Sequence, residues 1–204
     1  MHKEILTENQ AKLLPIVHMF SKNFGLVGGT AIALQIGHRR SIDFDLFTGK
    51  PFSNFNIKKR ISGRGGIHNI FKDEEGQYTF IIDDVQFTFF HYPYKINFSK
   101  KFEDIVKFPN LLTLAAMKAF ALGRRSKWKD YIDLYFIIRD HHPMKSIIAR
   151  GRKMFGNEFN EKLFRSQLAY FEDVNYSEEV KYLPGFKTSD KEIKKKLTEF
   201  SLSE

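Results

Sequence analysis

Apolar residues recur at helical spacing over residues 8–23, where Leu13, Leu14, Ile16, Val17 and Phe20 make one stripe. The spacing predicts a helix there. Leu26 and Val27 follow as a short buried strand or turn entry, and Gly28 and Gly29 break the pattern. Thr30 is placed to cap a helix over 31–36, which Gly37 ends. Residues 42–47 alternate apolar and acidic side chains, the period of a strand. A basic helix is predicted over 52–62 and strands over 67–72, 78–82 and 85–91, with Asp83 and Asp84 as the tight turn before the last. Helix, helix, strand and then several antiparallel strands make an α+β module, assigned here to residues 1–98.

From residue 99 the pattern changes. A short segment covers 102–106, and Pro109 precedes a helix over 111–122. Gly123, Arg124, Arg125 and Ser126 form a basic connector to a helix over 127–139, which stops before Pro143. Further helices are predicted over 145–154, 157–171 and 190–200, so residues 99–204 read as a helical region. The lysine run from Lys191 to Lys196 reads as a solvated helix face.

Composition narrows the class. Aromatic residues make up 15% of the chain and 22 are Phe, enough for a substantial core and against disorder. No cysteine is present, which excludes disulfides and thiolate metal sites and is compatible with a reducing cytoplasm. The chain begins without a signal-peptide pattern, and no apolar run reaches the roughly 18 residues that a membrane span needs. The expectation is a cytoplasmic protein with no membrane partner. A formal net charge of +9 draws polyanions: RNA, DNA, nucleotides or an acidic protein.

Candidate chemistry sits at the change from helix to strand. On a strand, Asp43 and Asp45 share a face roughly 6.6 Å apart, while Phe44 points to the core. Two such carboxylates suit Mg²⁺, which binds a few carboxylates together with substrate phosphates. Gly28 and Gly29 let the backbone approach a phosphate closely. The helix that follows offers free N–H groups and its positive end, and Thr30 adds a hydroxyl donor. A phosphate cradle, 12 intervening residues and an Asp-x-Asp strand form a coherent nucleoside-triphosphate site.

Residues 26–47, LVGGTAIALQIGHRRSIDFDLF, resemble the first motif of the AbiEii/AbiGii type IV toxin family, part of the DNA polymerase β-like nucleotidyltransferases. The resemblance continues through 85–94, VQFTFFHYPY, and 114–136, LAAMKAFALGRRSKWKDYIDLYF, and covers about residues 10–140. It implies a mixed or antiparallel sheet with helices on one face, followed by a C-terminal helical region that completes the cleft. It also implies a bacterial toxin or phage-defence protein, paired with an antitoxin, that moves an NMP from an NTP to an acceptor such as tRNA, another RNA or a protein. Asp43 and Asp45 match the metal-binding pair for Mg²⁺ or Mn²⁺. Gly29 and Thr30 match the phosphate-binding turn, with Gly28 before them. Lys118 and Asp130 match positions on the helical side.

Lys118 stands out without the resemblance. It falls on the apolar stripe of Leu111, Leu114 and Ala121, so it snorkels outward or faces an anion. Asp130 and Asp133 are helical neighbours. Asp130 either supports the helix start, or orients Lys118, or contacts the nucleotide or the attacking group, whereas Asp133 is a structural residue or a secondary member of the site and can pair with Lys129 at i, i+4. Nucleotidyltransferases of this superfamily often carry a third carboxylate on a later strand. Here the strand over 85–91 offers Gln86 and Thr88, and a hydroxyl is a poor general base. Arg39, Arg40, Lys58, Lys59, Arg60, Arg64, Arg124, Arg125 and Lys127 form a basic set that could guide RNA phosphates, with His38 and His91 as secondary polar groups.

Two other functions fit the same residues. One is nucleotide or RNA binding without catalysis, motivated by the absent third acid. The other is a small-molecule nucleotidyltransferase of the antibiotic-modifying kind, against which the +9 charge weighs, because cationic drugs favour acidic clefts.

Overall fold

The computed structural model describes residues 1–63, 66–122 and 124–203; Arg64 of the basic set and Gly123 of the connector lie outside the described residues. It divides into two compact units, Met1–Asn110 and Leu111–Glu204. Among the described residues no helix is long and apolar enough to cross a membrane.

The first unit opens with α1 (Glu8–Phe20), β1 (Gly25–Val27), α2 (Gly28–Ile36), β2 (Phe44–Thr48) and α3 (Asn54–Ile61). Strands β3 (Asn69–Glu74), β4 (Gln77–Ile82) and β5 (Val85–His91) follow, and the hairpin β6 (Lys100–Phe102) and β7 (Val106–Phe108) ends the unit. The first five strands form a mixed sheet in the order β1-β2-β5-β4-β3. Only the β2–β5 pairing is parallel in it. Asp83 and Asp84, with φ of 47° and 63°, form the tight β4–β5 turn that the sequence predicts.

One face of the sheet is apolar. Phe44 and Leu46 of β2, Phe87 and Phe89 of β5, and Tyr78 and Phe80 of β4 are at most 1% exposed. Phe20 of α1 meets Phe89 edge-on at 4.8 Å, so α1 covers this face. Arg60 of α3 lies over Phe20 and donates to the Met19 carbonyl, which puts α3 on the helix-covered side too. The other face carries the polar alternates of the same strands, Asp45, Gln86 and Thr88. Helix α1 starts on a capping box: Thr7 accepts from the Gln10 backbone and Gln10 accepts from Thr7.

Segment 102–106, left without a class by its sequence, is the turn and inner ends of the β6–β7 hairpin, and β7 packs on β1. The character of the sequence changes at 99, but this hairpin belongs to the first unit.

The second unit contains α4 (Leu111–Leu122), α5 (Trp128–Asp140), α6 (Met144–Phe155), α7 (Glu161–Leu168) and α8 (Asp190–Leu202). Helix α4 packs against α5, α6 and α7, and α8 packs against α5 and α7. Helix α7 is shorter than the predicted 157–171: Gly156–Glu158 form a separate turn of 3₁₀ helix, and Asn160 caps α7 through the Leu163 N–H. In the lysine run, Lys191, Lys195 and Lys196 are exposed, but Lys194 is half-buried. Its ammonium sits 4.9 to 5.7 Å from the rings of Trp128, Phe171 and Tyr176.

Candidate active site

Asp43 immediately precedes β2 and Asp45 lies within it, one on each side of buried Phe44. Both carboxylates are half-buried. The register sets Asp45 between Val27 of β1 and Thr88 of β5. The strand that neighbours the pair therefore presents Thr88 at the level of Asp45, with Thr79 of β4 beyond it. Among the described residues no group of three or more His, Cys, Asp or Glu side chains is arranged to hold a metal ion. The donor set still suits a hard divalent cation, because two carboxylates flanking Phe44 leave the other positions to water and phosphate.

The glycines are explained by what leans over them. Gly28 has φ of +70°, and a Cβ there would lie 2.0 Å from Oδ2 of Asp45. A Cβ on Gly29 would lie 2.6 Å from a terminal nitrogen of Arg39 and 2.9 Å from the Ser41 hydroxyl. The turn thus brings bare backbone beneath one carboxylate and one guanidinium. Arg39 is 2% exposed and donates to the Arg40 carbonyl at 3.0 Å, so it is built into the site and is no part of a solvated basic surface. Arg40 is exposed and reaches the Leu6 carbonyl. Gly28→Ala is expected to combine strain at positive φ with displacement of Asp45. A loss of about 1 kcal/mol or more in stability should accompany a larger loss of activity, read from a melting curve and a nucleotide-incorporation assay on one preparation.

Thr30 departs from its predicted role. Helix α2 begins at Gly28, with Val27 before it, so Thr30 is the third helical residue and not the cap. Its hydroxyl is buried and faces inward, donating to the Asp43 carbonyl at 2.5 Å with the Ser41 hydroxyl 3.1 Å away. The side chain therefore positions the strand entry, and any phosphate contact at Thr30 falls to its backbone N–H. Gln10 performs a similar task unforeseen in the sequence. Fully buried, it donates from Nε2 to the Ser41 carbonyl at 2.9 Å. The capping-box spacing of Thr7 and Gln10 was the one available signal for it. His38 is also fully buried, and His91 is half-buried at the end of β5.

The second unit holds a separate ionic cluster. Lys118 of α4 contacts Asp130 of α5 and lies 3.0 Å from Asp133. Arg125 reaches Asp130 from Nε at 3.0 Å. Lys118, Asp130 and Asp133 are 7%, 2% and 0% exposed. Lys118 therefore does not snorkel. Burial pushes the Asp130 carboxyl upward, but Lys118 and then Arg125 outweigh it and hold it below the ordinary carboxylate value. Asp133 lies against Lys118, whereas Lys129, its expected i, i+4 partner, reaches Glu178 at 3.0 Å. The other cations of the connector are also engaged: Lys127 pairs with Glu178, and Arg124 lies over Phe120 near Glu158.

Comparison with known proteins agrees with this architecture. The family described as nucleotidyl transferase AbiEii toxin, type IV TA system, matches residues 18–197. An uncharacterised protein of Aquifex aeolicus (strain VF5) is 28% identical over 204 residues, spanning 97% of this chain and 98% of its own. Among solved structures, JHP933 from Helicobacter pylori superposes with a TM-score of 0.58 at 16% identity, over 96% of this chain and 91% of that one. MenT4, a nucleotidyltransferase toxin from Mycobacterium tuberculosis H37Rv, gives 0.57 at 9% identity, over 94% and 81%. At such identities the structural likeness speaks for the fold alone.

Proposed function

The chain belongs to the AbiEii family of nucleotidyltransferase toxins, and on that premise we propose that it is a divalent-metal-dependent enzyme that moves an NMP from an NTP to a hydroxyl of an RNA acceptor, tRNA foremost. The observation that carries the reading is the closure of Asp45 over Gly28, which joins a backbone turn suited to phosphate to a carboxylate pair suited to metal. Asp43 and Asp45 would hold Mg²⁺ or Mn²⁺. When bound, the cation neutralises phosphate charge and polarises the reacting oxygens.

The chain's own residues do the rest by positioning. The N–H groups of Gly28, Gly29 and Thr30 stand at the uncapped start of α2 and offer donors to the triphosphate. Arg39 brings a fixed positive charge beside Gly29. Thr30 and Gln10 hold the 41–43 backbone in place. The acceptor oxygen forms its bond to the α-phosphorus as the bond to pyrophosphate breaks, and the acceptor proton passes to solvent. Thr88 cannot act as the base at neutral pH, so orientation and electrostatics supply most of the rate. In the second unit Asp130 holds and orients the buried Lys118 ammonium. The +9 charge favours a polyanionic acceptor, and the toxin family brings a cognate antitoxin as partner.

The test is incubation with α-labelled NTPs, Mg²⁺ and total tRNA, with pyrophosphate measured in parallel. Label entering RNA with matching pyrophosphate, both lost on chelation, is the expected result. Measurable NTP binding without label in any acceptor would replace this reading with nucleotide binding alone, the function that Thr88 in place of an acid favours.

A further inference from the structure

The polar face of the sheet does not stay polar along its length. Beyond Asp45 and Thr88, the next cross-strand pair on the same face is Phe47 and Phe90, whose ring centroids are 5.1 Å apart. Tyr92 continues the ladder, donating its N–H to the Thr48 carbonyl, and its ring lies 5.3 Å from Phe47 and 6.2 Å from Phe90. Tyr94 extends the strip, 5.3 Å from Tyr92. All four rings are half-buried. They are not part of the core, which lies on the opposite face in Phe44, Leu46, Phe87 and Phe89. Aromatic surface left partly open beside a polar site calls for a ligand.

Position says which ligand. Gly28 follows Val27, which pairs with Asp45, while Gly25, two residues earlier on β1, pairs with Phe47. Along β2 the order is therefore glycine turn, carboxylates, rings. The step from Asp45 to Phe47 is roughly 6.6 Å along the strand, a distance that a ribose bridges between its phosphate and its base. We propose that Phe47, Phe90 and Tyr92 form a stacking platform for a nucleobase whose phosphate lies at the Gly28–Asp45 end. This rests on the nucleotidyl-transfer reading and adds to it the place where a base is held. The base belongs either to the incoming NTP or to the acceptor's terminal nucleotide, and both present the same π-face. Stacking of this kind tolerates any base, so the platform contributes affinity more than base choice.

Phe90→Leu and Tyr92→Leu keep apolar volume and remove the ring, and Phe90→Tyr keeps the ring as a control. Binding of an NTP and of inorganic tripolyphosphate, each with Mg²⁺, is measured by equilibrium dialysis, and the half-saturating concentration of total tRNA is taken from the labelling assay. Loss of one stacked base corresponds to about 5- to 100-fold in affinity. If the NTP base stacks, the Leu variants bind NTP at least 5-fold more weakly while tripolyphosphate binding is unchanged. If the acceptor base stacks, both ligands bind normally and half-saturation by tRNA rises by a similar factor. In either case Phe90→Tyr behaves as wild type. Leu variants that melt cooperatively and change none of these quantities overturn the platform while leaving the transfer reading intact. Wild-type protein that binds neither NTP nor tripolyphosphate overturns that reading and the platform with it.

Discussion

Replacing Asp45 by Asn is expected to reduce nucleotide transfer by about 10³-fold or more while the protein remains folded. The substitution keeps the side chain's size and its place over Gly28, and removes the charge that a divalent cation needs. Several kcal/mol of transition-state stabilisation is what a bound cation supplies at a phosphoryl group, and each 1.36 kcal/mol is tenfold in rate. Asp43→Asn should act alike, because the two carboxylates flank one core residue, Phe44. The check is label incorporation at saturating Mg²⁺ with a cooperative melt as the folding control. Excess Mn²⁺ restoring part of the activity would place the defect in metal binding. Full activity in either variant, with the melt unchanged, would remove these residues from the reaction.

How far the sequence announces this site depends on the range of the contacts involved. Asp43, Phe44 and Asp45 were legible because strand alternation is a local rule: the outer two half-exposed, the middle one buried. The glycines were legible as a turn, but their reason was not, since Asp45 and Arg39 close over them from 17 and 10 positions away. Thr30 shows the limit most clearly. An O–H donor has the same chemistry whether it faces a phosphate or a carbonyl of its own chain, and only the fold decides. The parallel β2–β5 pairing was likewise hidden, because it joins strands separated by the whole β3–β4 hairpin. In the helical half, periodicity found the helices, while the partners of Lys118, Asp133 and Lys129 follow from packing between segments that local spacing does not encode.

The second large effect is expected in stability. Lys118→Met should destabilise the protein by about 3–5 kcal/mol, more than most single substitutions. The volume is nearly conserved, so the loss comes from charge. It leaves Asp130 and Asp133 buried, with Arg125 on the outer side of Asp130, where the wild type has an ammonium contacting one and 3.0 Å from the other. Breaking a buried pair costs more than removing it entirely, so adding Asp130→Asn and Asp133→Asn to Lys118→Met should recover most of the stability, an ordering that loss of packing alone would not give. The pH dependence separates the cases further. In the wild type the folded-state value of Asp130 lies below the ordinary 3.8, so its contribution is complete above that value and is lost as pH falls through the folded-state value. Without Lys118, burial outweighs Arg125 and raises the folded-state value of Asp130 above the unfolded one. The folded state then binds more protons than the unfolded, and the variant gains stability as pH falls toward 4. Denaturant melts between pH 4 and 7 should therefore stay nearly level for this contribution in the wild type, while the Lys118→Met variant gains stability toward pH 4. A Lys118→Met variant with wild-type stability and the wild-type slope would mean that the cluster carries little stability, and a loss of transfer in it would then belong to the Lys118 charge and not to folding.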